Sequence, residues 1–283
     1  MKTILTSFFC FLNFAIYSQE NILEFDKMFY ESEDHWVAFP PKEGENKYMY
    51  GFIYLDNTAG YTFHFGGNFS VDAKGKFTSD EKIAATRMIR RLEPNTMKMA
   101  IIPDAKLKEL ELPKIPDWLE IYKSDETAET LTRKGYHLNH IGASKSAIPV
   151  LLKAYKMSPH EKGLEFELSY AYNATGEFQK AVEVLEKALK NNANDPMFYR
   201  ELGYSFINLE KLVEAEKIYK IGISILKDDS QKAEMAFNMA GVYFRSKEKG
   251  KFEIWSKEVK KFADKNSQFI HYLNQMETEM NKS

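Results

Sequence analysis

Six histidines and a single cysteine limit the metal, acid–base and thiol chemistry open to this 283-residue chain. His137 and His140 stand three apart, close enough on a helix to share a metal ion. Two imidazoles are not a complete site, however, and no third ligand stands near them in sequence. They read as ordinary polar helix residues. His64 lies between Phe63 and Phe65. A general base needs a carboxylate or nucleophile within hydrogen-bond reach, so packing or surface is the simpler reading. Arg87, Arg90 and Arg91 form a small basic patch, expected on a solvated helix face. Gly66-Gly67 signals a turn without any phosphate-cradling pattern, and no G-x-S-x-G is present. Residue types and spacing therefore name no catalytic residue, no metal ligand set and no cofactor.

Residues 1–18 read as a signal peptide. Met1-Lys2 is a short positive start, residues 4–17 are mostly apolar with four phenylalanines, and Ser18 precedes Gln19-Glu20. The run is shorter than the roughly 20 residues of a membrane span, although a retained anchor is the rival reading. Phe9 before Cys10 argues against a lipoprotein cleavage site, where a small residue is usual. Cleavage would remove Cys10 and leave a mature chain without thiol, disulfide or membrane span. The expectation is an exported protein, periplasmic or associated with the cell envelope, with secretion open. A net charge of −2 offers no excess for releasing counterions from a phosphate backbone, so nucleic acid is not an expected partner.

The elements that position everything else are set by a period. Ala147, Ala181 and Ala215 lie 34 residues apart, and Leu151, Leu185 and Tyr219 follow them at the same interval. A fixed period of this length marks a stacked array of helix pairs. Units run over 128–161, 162–195 and from Pro196. A fourth fits if three extra residues sit in the turn 227–231, with Phe252 in place of the alanine. Gly135, Ser169, Gly203 and Ala240 let the first helix of a pair approach the second, where the alanines meet it. Tyr172 and Phe206 fill the space between. Gly142 and Gly176 end first helices, and Glu210 occupies the equivalent place at some cost. Residues 267–280 carry Ile270, Leu273 and Met276 on one stripe, as a capping helix would.

Over residues 128–226 the chain resembles the tetratricopeptide repeat family. The first unit supplies Leu131, Gly135, Leu138, Ala147, Leu151 and Pro159, and the third Tyr199, Leu202, Gly203, Phe206, Ala215 and Tyr219. The resemblance implies an α-solenoid whose first helices line a concave surface, and a non-enzymatic role in holding a protein or peptide partner. It looks like the bacterial envelope proteins of that family, many of which assemble or regulate exported proteins. On the concave stripe stand Tyr136, Tyr170 and Tyr204, then Asn139 and Asn173, with Ile207 breaking the series and Asn208 beside it. One row upstream are Phe166, Arg200 and Phe237. Asparagine amides pair with both donors and acceptors of an extended peptide, and tyrosine adds apolar area with a polar tip. The competing reading makes these tyrosines padding between repeats. The family's groove for charged C-terminal tails uses lysine, arginine and asparagine. Phe166 and Tyr170 stand where its first lysine and asparagine are expected, so that activity does not carry over.

Residues 19–112 are expected to form an α+β module. Strands over 35–39, 48–55, 61–65, 69–71 and 97–102 make an antiparallel meander. A helix starts at the capping box Thr78-Ser79-Asp80-Glu81 and buries Ala85, Met88, Ile89 and Leu92. Pro113 and Pro116 mark a linker over 113–127, from which Trp118 and Leu119 dock on the first repeat helix. The array then spans 128–266 and the cap and tail 267–283, giving a mainly α chain. A second functional reading places a small-molecule or glycan site on the aromatic strands, with the repeats as support.

Overall fold

The computed structural model describes residues 22–80 and 88–282. The signal-peptide reading, Cys10, Ala85 and Arg87 lie outside the described residues. Among the described residues six strands form one antiparallel sheet: β1 (His35–Ala38), β2 (Lys47–Asp56), β3 (Gly60–Val71), β4 (Phe77–Ser79), β5 (Ile89–Arg91) and β6 (Ala100–Ile101). Their order is β4-β3-β2-β1-β6, and β5 pairs with the first half of β3. The Asp56 carboxylate closes the β2–β3 hairpin by accepting from the Thr58 and Ala59 N–H groups at 2.7 and 2.9 Å. Side chains alternate between faces. Val37, Ile53, Tyr61 and Phe63 join the apolar cluster that holds Leu131 and Leu138, while Trp36, Tyr50, Phe52, Tyr54 and Phe69 form a second core on the other side. Both faces of this sheet are buried.

Three expectations for this region are corrected. Residues 77–79 and 89–91 are strands, not parts of a helix, and Arg90 and Arg91 are exposed on β5. Thr78 and Ser79 pair with Ser70 and Phe69 of β3, and Ile89 with its His64, because strand formation follows tertiary partners more than local preference. The middle of the expected helix, 81–87, lies outside the described residues. Gly66-Gly67 is not a turn. It lies inside β3, where Gly66 is the extra residue of a bulge facing Tyr50 and Gly51. A Cβ at Gly66 would come within 2.5 Å of the Tyr50 ring. Finally, Trp118 and Leu119 pack on the sheet and not on the first repeat helix. Trp118 meets Phe52 and Tyr54 edge to face and lies tilted against His64, and the Trp36 indole N–H donates to the Pro113 carbonyl at 2.8 Å. The module therefore continues through the short α1 (Asp104–Leu107) and a 3-10 turn at Asp117–Tyr122.

Among the described residues nine further helices follow: α2 (Ala128–His140), α3 (Ser144–Met157), α4 (Leu164–Ala174), α5 (Phe178–Asn191), α6 (Pro196–Asn208), α7 (Leu212–Ile225), α8 (Asp229–Arg245), α9 (Lys249–Phe262) and α10 (Gln268–Met280). Thr127, Asp195, Asp228 and Ser267 cap α2, α6, α8 and α10 by accepting from first-turn N–H groups. The additional residues of the fourth unit do not sit in a turn. They lengthen α8 to 17 residues against 13 for α6. Ala147, Ala181, Ala215, Leu151, Leu185 and Tyr219 are wholly buried. Gly135 and Gly203 show why small residues stand opposite them: a Cβ there would lie 2.2 Å from Leu151 and 2.1 Å from Tyr219. Phe252 and Trp255 fill the last pair, and Leu273 of α10 is buried against it.

First helices end in one repeated motif. The residue beyond each cap is left-handed at Gly142, Gly176, Glu210 and Lys247, and the next N–H reaches back to Leu138, Tyr172, Phe206 and Tyr243 carbonyls at 2.8–3.0 Å. Two of the four lack glycine, and a side chain in this conformation is costly. Glu210→Gly is therefore expected to raise stability by about 1 kcal/mol. Urea unfolding checks this, and an unchanged midpoint would show that the left-handed residue carries no strain.

Candidate functional site

Successive first helices touch, α2 with α4, α4 with α6 and α6 with α8, while among the described residues no comparable contact joins α3 to α5 or α5 to α7. The array thus curves with its first helices inside. The three tyrosines of that inner face stand out from it, with Tyr136 45%, Tyr170 38% and Tyr204 41% exposed. The asparagines do not. Asn139 and Asn173 are 5% and 6% exposed, and each amide clasps the next first helix. The Asn139 Nδ2 donates to the Glu167 backbone oxygen at 2.9 Å and to its Oε2 at 2.8 Å. One repeat later, Asn173 Nδ2 donates to the Glu201 backbone oxygen at 3.1 Å and to its Oε2 at 3.0 Å. Placing these asparagines among groove ligands is corrected: they join repeats, because a buried amide must satisfy its donors within the fold.

The other groove candidates divide. Arg200 lies against Glu201, with Nη2 3.0 Å from its Oε1, and over the ring of Phe166. Asn208 donates to the Tyr204 carbonyl on its own helix and stays exposed. Phe237 lies against Phe269 of α10, ring centres 5.3 Å apart and tilted, so it contributes to the packing of the cap. Between the tyrosines lie two recesses. The first, about 240 Å³, is lined by Tyr136, Asn139, His140, Phe166, Glu167 and Tyr170. The second, about 250 Å³, includes Tyr170, Asn173, Arg200, Glu201, Tyr204, Glu234 and Asn238. Burial raises the carboxyl pKa of Glu167 despite the Asn139 bond, and also that of Glu234 despite nearby Arg200. Sequence reasoning missed these glutamates. Their signal was the same period, since Glu167 and Glu201 are themselves 34 apart.

A tetratricopeptide repeat family model matches residues 163–205, which span α4, α5 and most of α6. The helical array is tetratricopeptide-like: the match covers one stretch of it, and the helix pairs on either side continue the same 34-residue period. Solved structures similar to it include a thermophilic tetratricopeptide repeat protein of Thermus thermophilus, at 18% identity over 61% of this chain and 89% of that one, with a TM-score of 0.46. Another is from Parabacteroides merdae, at 16% identity over 55% and 60%, with a TM-score of 0.45. MamA of Desulfovibrio magneticus RS-1 aligns at 18% identity over 56% and 83%, with a TM-score of 0.42. No curated protein matches the chain significantly. Tetratricopeptide repeats are protein-interaction scaffolds, typically without catalysis of their own.

The sheet meets the tetratricopeptide array at α2. His137 is buried there, its Nε2 3.1 Å from the Asn57 carbonyl and its ring against Gly60. It is a joint residue and not a solvated one. Burial lowers its pKa, the Asn57 bond opposes that, and Arg91, His140 and Arg133 lower it further. Glu33 links the same parts by accepting from Tyr61 Oη at 3.0 Å and from Lys134 Nζ at 2.9 Å. His140 remains exposed, in ring contact with Tyr136. No group of three or more His, Cys, Asp or Glu among the described residues could hold a metal ion.

Proposed function

We propose that the chain is an exported, non-enzymatic scaffold that holds an extended segment of a protein partner along the inner face of its tetratricopeptide array. The observation that carries this is the row of exposed Tyr136, Tyr170 and Tyr204 with a recess on each side of Tyr170. Large apolar groups with polar tips, left in water at three successive repeats, favour a partner over self-packing. Export rests on the apolar run at 4–17 and on Ser18. No helix among the described residues is long and apolar enough to cross a membrane. The aromatic strands of the sheet give little support to a small-molecule or glycan site, because Trp36, Tyr50, Phe52, Tyr54 and Phe69 are buried in the second core.

A photo-crosslinking residue at Tyr204 is expected to capture a partner in the source cells. The same probe at Val213, 76% exposed on second helix α7, serves as the control. Adducts at both positions alike, or insensitive to Tyr170→Ala, would move the binding face elsewhere. The purified mature chain is expected to begin at or near Gln19. Met1 at its start would replace export by cleavage with a retained anchor.

A further inference from the structure

The inner face holds one recess twice. A shift of 34 residues carries Tyr136, Asn139, Phe166, Glu167 and Tyr170 onto Tyr170, Asn173, Arg200, Glu201 and Tyr204. Among these pairs Phe166 stands where the second recess has Arg200, and the exposed imidazole of His140 lines the first recess where the second has Ala174. In that second recess the chain supplies its own cation. The guanidinium lies 3.0 and 3.2 Å from the Glu201 carboxylate and 5.5 Å from the centre of the Phe166 ring. The first recess has the same carboxylate and more rings, His140 among them, but no guanidinium or ammonium group in its lining. Glu167 accepts a neutral amide N–H from Asn139, and its charged neighbour is Glu201, another acid. Burial accordingly holds its pKa above the usual carboxylate range, with the Asn139 bond opposing.

We propose that the first recess takes the ammonium or guanidinium group of a lysine or arginine side chain from the bound segment, in the part that Arg200 plays one repeat later. The inference rests on inner-face binding. The chemistry favours a cation in two ways. A half-buried carboxylate gains from a counter-ion in a medium less polar than water. The faces of Tyr136 and Tyr170 attract positive charge through their ring quadrupoles, while Arg200 already lies over Phe166. Acidic groups of a partner would meet Glu167, Glu201 and Glu234 instead, with Arg200 already paired.

Selection of a phage-displayed random peptide library on the immobilised full chain tests this. Wild type is expected to enrich peptides with lysine or arginine at one fixed position. Synthetic copies with norleucine there should bind at least about tenfold more weakly. Glu167→Gln removes the charge while keeping an acceptor for Asn139, and should lose the basic preference and a similar factor in affinity. Phe166→Arg copies the second recess, so its own guanidinium should displace the peptide's and weaken the same peptides. Both variants are checked for wild-type circular dichroism and melting. Peptides that depend on Tyr170 but carry no basic preference, or are indifferent to Glu167→Gln, would overturn the inference and leave inner-face binding standing. If no selected peptide depends on Tyr170, both fall.

Discussion

Asn173→Ala is expected to destabilise the protein by about 3 kcal/mol, because it strands several buried polar groups at once. The amide donates to two oxygens of Glu201, and its Oδ1 accepts from the Ser205 hydroxyl at 2.7 Å. Ser205 is wholly buried and Glu201 nearly so, which leaves water little access to replace the lost partners. Tyr170→Ala, three residues away on the same helix, should cost about 1 kcal/mol or less, as a side chain 38% exposed. Denaturant unfolding separates the two. Equal midpoints would mean that Asn173 faces the groove and that the clasp contributes nothing. The third interface makes the same point from the other side. Ile207 replaces the asparagine there, and the residue matching Glu201 is Asn238, which lies 3.4 Å from the Tyr219 hydroxyl instead. The amide and the carboxylate occur together or not at all. Combining Asn173→Ile with Glu201→Asn should therefore cost less than the sum of the single changes.

The helix array was legible because its determinants are local and repeated. Gly135 against Leu151 and Gly203 against Tyr219 are contacts within one helix pair, and the 34-residue interval presents them again and again. Gly142 and Gly176 likewise announce a left-handed turn, and Glu210 could be placed there by register alone. The sheet was less legible. That residues 89–91 form a strand depends on β3, about 27 residues earlier, and no capping-box rule contains that information. Gly66-Gly67 reads as punctuation until Tyr50 is seen lying over it. In the groove, spacing put Asn139 and Asn173 in the correct row but not in the correct environment. Whether an amide in that row faces water or the next helix depends on a glutamate 28 residues further on. The period held that clue as well, in Glu167 and Glu201.

Ala181→Trp should produce the largest loss of stability, about 3 kcal/mol or more, at the upper end of what overpacking costs. Ala181, Leu185 and Ala188 of α5 are all wholly buried, in one apolar cluster with Leu168, Ala171 and Tyr172 of α4. An indole added there has no void to enter, and close-packed interiors yield only by moving backbone. In a stacked array the damage falls on one helix pair and on its coupling to neighbours, since each repeat contacts only those beside it. The transition should therefore broaden or divide as well as shift, with α6–α9 melting apart from α2–α3 and the sheet. Val213→Trp adds a large ring at a site 76% exposed and should melt within about 0.5 kcal/mol of wild type. Calorimetry of the two variants reads both effects. A single sharp transition for Ala181→Trp at the wild-type temperature would show that α4 and α5 do not meet through this alanine.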